Sequence, residues 1–254
     1  MVEIQRILAP NPGLMTLDGT NTYVIGGQVV VDPGPADPEH IERLVALQPR
    51  LVLVTHRHED HTEAAAELAR SVGAELRALD PEQCFGGEPL VDGEWIPVDD
   101  VELQVLATPG HTSDSVCFVV PDQAVLTGDT VLGRGSTVIM HPDGAVGAFF
   151  ASLDKLEALG DLEVLPGHGE PRSSIAEAAR EYREHRTARL AEVRAALRDL
   201  GMNAGDADVA AVTGRVYPDV DDQIRFAAEA SMAAQLAYLA TDTNTDTLPS
   251  GEKE

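Results

Sequence analysis

Four short apolar runs in this chain each end in a tight turn and then in a residue able to ligate a metal. "LVLVT" leads to His56, "LQVLATPG" to His111, "AVLTG" to Asp129 and "LEVLPG" to His168. Runs of this length and character read as buried strands. Groups that carry chemistry collect outside the carboxyl ends of neighbouring strands, because those ends deliver their loops to one place. Four sequence-distant residues are therefore expected to meet above one sheet edge.

The first strand end is crowded. "VTHRHEDHTEA", Val54 to Ala64, places three histidines and two acids within six positions, His56 to His61. A buried polar cluster loses its hydration unless something replaces it, so the choice lies between a solvated turn and a metal site. The three other strand ends favour the metal. His56 and His58 are two apart and point the same way in extended backbone; His111 completes a three-nitrogen set with one position open for water. Asp60, His61 and His168 form a second set where the chain turns into a helix. Asp129 is the natural bridge, since one carboxylate can hold two cations. Imidazole and carboxylate donors suit two Zn2+, and Mn2+ or Fe2+ are compatible. Structural zinc sites are usually closed and thiolate-rich, whereas this set contains no cysteine and leaves positions open. A catalytic site is the expectation.

Around these strands the chain alternates further strands and helices. "NTYVI" and "QVVVD" flank Gly26-Gly27 as a hairpin, and Asp37 caps the helix "PEHIERLVALQ". "TEAAAELARSVG" reads as a helix closed by Gly73. "PLVDGEWIPVDDVELQVLATPG" reads as strands paired around Asp92-Gly93 with a later turn, and "SVCFVVPDQAVLTGD" as two strands about Pro121-Asp122. Strands with interspersed helices and hairpins indicate a mixed α/β sandwich rather than a doubly wound sheet. After Arg172 the composition turns helical, beginning with one long helix that ends at Gly201. Two shorter helical patterns, 206–213 and 221–239, follow it.

The formal net charge is -25, from 43 acidic and 18 basic residues, which argues against a generally basic nucleic-acid surface. The long helix is the one net-positive segment. Its arginines read mainly as partners of nearby glutamates at spacing three and four, with Arg186, beside His185, kept as a candidate for an anionic substrate. Two cysteines make no disulfide framework. With no secretion signal and no apolar stretch of the ~20 residues that span a bilayer, a cytoplasmic protein without membrane association is expected.

"HRHEDH", "TPGHT", "TGDT" and "LPGHG" resemble the successive ligand motifs of the metallo-β-lactamase superfamily. Within it, "NPGLMTLDGTNTYVI" with "LGRGSTV" is similar to the β-lactamase-like protein 2 family. The resemblance covers roughly Asn11 to Leu190 and implies a four-layer αββα sandwich with a dinuclear zinc site. It places His56, His58 and His111 on one metal, Asp60, His61 and His168 on the other, and Asp129 between them. Asp32 in "VVVDPG" matches the aspartate that supports the metal loop from behind. Residues 1–172 are then the catalytic domain, 173–240 a helical region for which a winged-helix-like form is one reading, and 241–254 a flexible tail.

The expected activity is hydrolysis by a shared water activated to hydroxide between two cations, with Asp60 orienting it. Asn21 and Thr137 are candidates to line the substrate cleft, each with an ordinary hydrogen-bonding role as the alternative. His141 is expected on a surface loop, and His40 carries no assigned role. The substrate stays open between a small ester or thioester, as in relatives that hydrolyse acyl thioesters, and single-stranded RNA, as in an endoribonuclease of the resembled family. Acidity counts against RNA. β-Lactam hydrolysis is weakest, since by resemblance dedicated lactamases lack the aspartate found here at Asp129. A metal-stabilised binding subunit is the non-enzymatic alternative, and a homodimer through the C-terminal helices is a further possibility.

Overall fold

Parity along the strands decides how this chain is layered. The computed structural model describes residues 1–98 and 101–241. One sheet contains, in spatial order, β1 (Ile4–Leu8), β2 (Asn21–Ile25), β3 (Val29–Val31), β4 (Leu51–Leu53) and β5 (Glu75–Arg77). In β3 and β4 all residues are buried, but on two different faces. Val30 and Val52 join Val24, Leu44, Leu68 and Ala69 in a core beneath the helices α1 (Pro38–Ala46) and α3 (Ala65–Val72). Val29, Val31 and Leu53 join Ile25 in a second core that faces the other sheet. Successive strand residues point to opposite faces, so a continuous valine and leucine run marks a sheet covered on both sides.

The second sheet follows the same rule. Its strands are β6 (Trp95–Val98), β7 (Val101–Ala107), β8 (Val116–Val120), β9 (Ala124–Gly128) and β10 (Glu163–Pro166), in the spatial order β10-β9-β8-β7-β6. Val116, Phe118 and Leu126 face the first sheet, while Cys117, Val119 and Val125 face outward. That outer face is covered by α4 (Val146–Glu157), α5 (Ile175–Leu200) and α7 (Arg225–Thr241), whose Phe149, Leu153, Ile175 and Met232 complete a third core. The result is helix, sheet, sheet, helix, as the mixed α/β sandwich requires, with a C-terminal helical region.

Connections agree with strand direction. β1, β2 and β3 are antiparallel; β3 to β4 and β4 to β5 are parallel and cross over through α1 and through α2 (Glu59–Thr62) with α3. β9 to β10 is the one parallel pair of the second sheet, and α4 makes that crossover. Asp37 caps α1 by accepting from the His40 amide at 2.8 Å, and Ser174 caps α5 by accepting from the Glu177 amide. Gly73 and Gly201 end α3 and α5 in left-handed conformation, where glycine carries no Cβ penalty.

Several expectations change. The pairing expected around Asp92-Gly93 lies instead between β6 and β7. Asp92 closes a turn against the end of β7, accepting from the Ala107 amide at 2.7 Å. The last two helices begin and end later than their patterns suggest, at α6 (Val209–Val216) and α7. No strand occurs among the described residues after β10, so the winged-helix-like form is not present there. Thr241 belongs to α7; the remainder of the expected tail, 242–254, lies outside the described residues. No described helix is long and apolar enough to cross a membrane.

Candidate metal centre

The loops after β4, β7, β9 and β10 open on one edge, where the two sheets meet. After β4 the chain bends through residues 55–57, is extended at His58 and then turns into α2, so that His56, His58, Asp60 and His61 come from one loop and one helical turn. His111 follows β7, Asp129 follows β9 directly and His168 follows β10. All seven side chains predicted from the strand-end pattern are brought together.

They fall into the two expected sets. His58 Nδ1 lies 3.0 Å from His56 Nε2 and 3.0 Å from His111 Nε2. His168 Nε2 lies 3.1 Å from Asp60 Oδ2 and 3.3 Å from His61 Nε2. Asp129 stands between them: Oδ1 is 3.5 Å from both His61 Nε2 and His168 Nε2, and Oδ2 is 3.8 Å from His111 Nε2. His56, His61 and Asp129 make a third compact triple, which ties the sets into one cluster.

The outward nitrogens explain the inward ones. His111 Nδ1 donates to the Val138 carbonyl at 2.6 Å, His168 Nδ1 to the Gly19 carbonyl at 3.1 Å and His61 Nδ1 to Asp32 Oδ2 at 2.8 Å. His56 Nδ1 donates to Thr55 Oγ1 at 3.0 Å, and Thr55 Oγ1 donates in turn to Asp32 Oδ2 at 2.7 Å. A neutral imidazole that donates through one nitrogen presents a lone pair at the other. The inward nitrogens converge at 3.0 to 3.3 Å on one another and on His58 Nδ1, and Asp129 Oδ1 is buried without a hydrogen-bond partner. A cation satisfies all of them at once, so the residues fit divalent metal binding.

Electrostatics separates the sets. Burial, reinforced by neighbouring imidazoles, holds His56 well below its ordinary value and lowers His58, which keeps both neutral and able to ligate. Burial also opposes charge on Asp129, but His168 and His61 outweigh it and hold the carboxylate well below the usual range. Asp60 is lowered in the same way, burial being overcome by the hydrogen bond from His168. Burial disfavours protonation of His61 and His168, yet the carboxylates of Asp32 and Asp129 around His61, and of Asp129 and Asp60 around His168, push both up. A location that attracts a proton so strongly attracts a metal cation for the same reason.

The remaining sequence candidates separate by position. Asp32 lies beneath the cluster as described. Asn21 does not line the cleft: it is buried, and its amide donates to the Pro166 and Gly169 carbonyls at 2.9 and 2.7 Å, fastening the His168 loop to β2. Thr137 does line it, with Oγ1 donating to the Asp129 carbonyl at 2.7 Å. Arg186 is buried at 4% exposure rather than solvated. Of the other α5 arginines, Arg189 pairs along the helix with Glu192 as expected, whereas Arg183–Asp154 and Arg180–Glu157 reach across to α4 instead. His141 is exposed. His40 is buried, with Nε2 3.1 Å from Thr22 Oγ1.

Three contributors had no clear signal in the sequence. Thr55 relays Asp32 to His56. Arg57, inside the histidine cluster, staples that loop to the His111 loop through Asp114 at 3.1 Å and Ser113 at 3.0 Å. Gly167 leaves room for the cluster, since a Cβ there would lie 2.6 Å from Asp129 Oδ1. Arg57 and Gly167 sit within the quoted motifs, which is the one hint available.

Residues 15–168 match the family model described as Metallo-beta-lactamase superfamily. The chain is 34% identical to the atrochrysone carboxyl ACP thioesterase of Aspergillus chevalieri, over 94% of this chain and 81% of that one. Among solved structures, a metallo-beta-lactamase family protein from Thermus thermophilus aligns with TM-score 0.77 at 22% identity, covering 93% of this chain and 92% of that one. TTHA1623, solved in a di-iron-bound form, aligns with TM-score 0.56 at 28% identity, covering 68% of this chain and 96% of that one.

Proposed function

This chain belongs to the metallo-beta-lactamase superfamily, and from that premise we propose that it hydrolyses acyl thioesters at a pair of divalent cations. That it is a hydrolase follows from the family and from thioesterase relatives; the bond cleaved and the metal count are our reading. His56, His58 and His111 would hold one cation and Asp60, His61 and His168 the other. Asp129 would offer one oxygen to each. The buried, partnerless Oδ1 of Asp129 facing two imidazoles is the observation that carries this assignment. Zinc suits the nitrogen-rich donors, and the di-iron form of TTHA1623 makes iron the second choice.

Cations held there would supply Lewis-acid polarisation of a carbonyl and lower the pKa of a water toward ~7. The chain's own residues do the rest. Asp60 is the most open of the acids in the cluster, with its side chain 30% exposed, and accepts a hydrogen bond from the attacking water to fix its line of approach. Thr137 and Val138 hold Asp129 and His111 from the cleft wall. Leu14 and Met15, exposed at 63% and 39%, form an apolar lip to the cleft of about 220 Å³ that His111 and Asp129 also line. Such a lip favours an acyl group over a polyanion. The thioesterase relatives and the excess of acids over bases point the same way, and against RNA.

Thiol release from acyl-pantetheine and hydroxyacyl-glutathione, measured beside single-stranded RNA and nitrocefin, tests the proposal. Zinc-loaded protein is expected to release thiol, and to lose that activity in His58→Ala and after chelation, with unfolding temperature lowered by chelation and restored by metal. Turnover that survives metal stripping, or RNA cleavage without thioester cleavage, overturns it.

A further inference from the structure

Beyond the metal cleft, and sharing its wall at Met15, Ser136, Thr137 and Val138, lies a second cleft of about 280 Å³. Its far side is built by the C-terminal region: Arg186 from α5, Tyr217 just after α6, Ile224 just before α7 and Ala228 within it. The lining is mostly apolar, yet it contains a cation with no acidic partner among the described residues. Arg186 is 4% exposed, and among the described residues its Nε has no hydrogen-bond partner and its guanidinium donates only to the Thr137 carbonyl, at 2.7 Å. Its helix neighbours Arg183 and Arg189 are paired with Asp154 and Glu192. Among the described residues Arg186 has no ion pair. Burying a cation without a counter-charge is costly, and such a group is retained where an anion completes it.

We propose that this second cleft holds the acyl part of the substrate, and that Arg186 recognises a carboxylate on it. The Thr137–Val138 segment sets the geometry. The carbonyl of Thr137 holds Arg186 while the next carbonyl, of Val138, holds His111, so the anion site and the hydrolytic site are fixed to one short piece of backbone. A thioester whose carbonyl sits at the metals therefore directs its acyl chain past Met15 toward Arg186. Apolar Ile224 and Ala228 favour hydrocarbon between the two ends. The phosphate of a carrier is the other oxyanion a guanidinium would accept, but the apolar lining suits an acyl chain better than a polar pantetheine arm.

This inference rests on the thioesterase reading, and the test separates the two. A series of ω-carboxyacyl-pantetheine thioesters from succinyl to suberyl is compared with neutral acyl thioesters of equal carbon number; pantetheine carries no phosphate. The carboxylated series is expected to have at least tenfold higher kcat/KM at one favoured length, with that ratio falling at least tenfold in Arg186→Met and partly recovering in Arg186→Lys. CoA thioesters favoured tenfold over pantetheine thioesters, lost in Arg186→Met, would assign the site to phosphate and overturn the proposal. In parallel, calorimetry with free suberate on metal-stripped protein reads the site without turnover. Binding is expected in the native chain and absent in Ala228→Trp, which fills the cleft while leaving Arg186 in place. If no thioester is hydrolysed but suberate binds and Ala228→Trp abolishes it, the thioesterase reading fails and the carboxylate site stands. If suberate does not bind, or the native enzyme shows no preference for the carboxylated series, the carboxylate site is refuted.

Discussion

Asp32 holds His61 through a 2.8 Å hydrogen bond from Nδ1, and its other contacts explain why it can. Thr55 donates to the same carboxylate twice, from its amide and its hydroxyl, each at 2.7 Å. The backbone of Asp32 sits at φ +51°, a left-handed turn that aspartate tolerates better than most residues. One carboxylate thus orients His61 directly and His56 through Thr55, which gives it a grip on both donor sets.

Replacing Asp32 with alanine is expected to lower metal affinity or turnover about 10- to 100-fold, the usual effect of losing a group that orients a ligand. Circular dichroism should show the fold intact. Metal content per chain after dialysis against a graded chelator checks the affinity; unchanged retention would mean that neighbouring packing alone positions His61.

Gly167 gives a steric prediction. A methyl group there would lie 2.6 Å from Asp129 Oδ1 and 2.8 Å from His61 Cε1, so Gly167→Ala must displace one of them. Overpacking of this kind costs about 1–3 kcal/mol, and a misplacement near 1 Å can cost roughly 100-fold in rate. Gly214→Ala is the contrast: it lies in α6 with nothing within 4 Å of the added carbon. It is expected to stabilise by about 0.5–1 kcal/mol. Urea denaturation of both variants, with turnover measured alongside, distinguishes crowding from a general intolerance of alanine.

Cys117 yields a prediction in pH. Burial pushes its thiol from 9.0 up to about 12, despite hydrogen bonds from Thr108 and Thr130 that act the other way. The folded state therefore favours the protonated thiol. Its contribution to stability is complete below pH 9 and is lost as pH rises from 9 toward about 12. At pH 8 a thiol reagent should leave Cys117 unmodified in native protein and reach both cysteines only after unfolding. Rapid labelling of Cys117 in folded protein would contradict its placement in the core.

Much of this architecture could be read from letters because the relevant forces act locally. Valine and leucine runs announced the doubly covered strands, and Asp37, Gly73 and Gly201 announced helix ends through backbone chemistry that few residues satisfy. The seven clustered side chains could be expected to meet because each follows a strand. β1 carries no such mark, since an edge strand with the burial of Ile4–Leu8 has little apolar pattern to show.

What stayed hidden was long-range. The carbonyls of Gly19 and Val138 orient His168 and His111, but every residue has a carbonyl and no letter marks these. The sequence marks Arg186 as a candidate for an anion but not as an interior group; only packing against the Thr137 loop and the Phe149 ring, 5.5 Å away, reveals the buried cation. Asn21 has two readings in the sequence, cleft wall or hydrogen-bonded strand start, because an amide near a candidate site has two uses; tertiary structure chooses the second, as the joint between β2 and the His168 loop.

The two sheets contribute unequally to the cluster: His56, His58, Asp60 and His61 hang from the first, His111, Asp129 and His168 from the second. Neither half of the sandwich owns a complete set. A chain that has formed both sheets but not yet clasped them would present two partial chelators, each weaker than the whole. An ion seated there would be held from both sides and would act as a rivet across their seam.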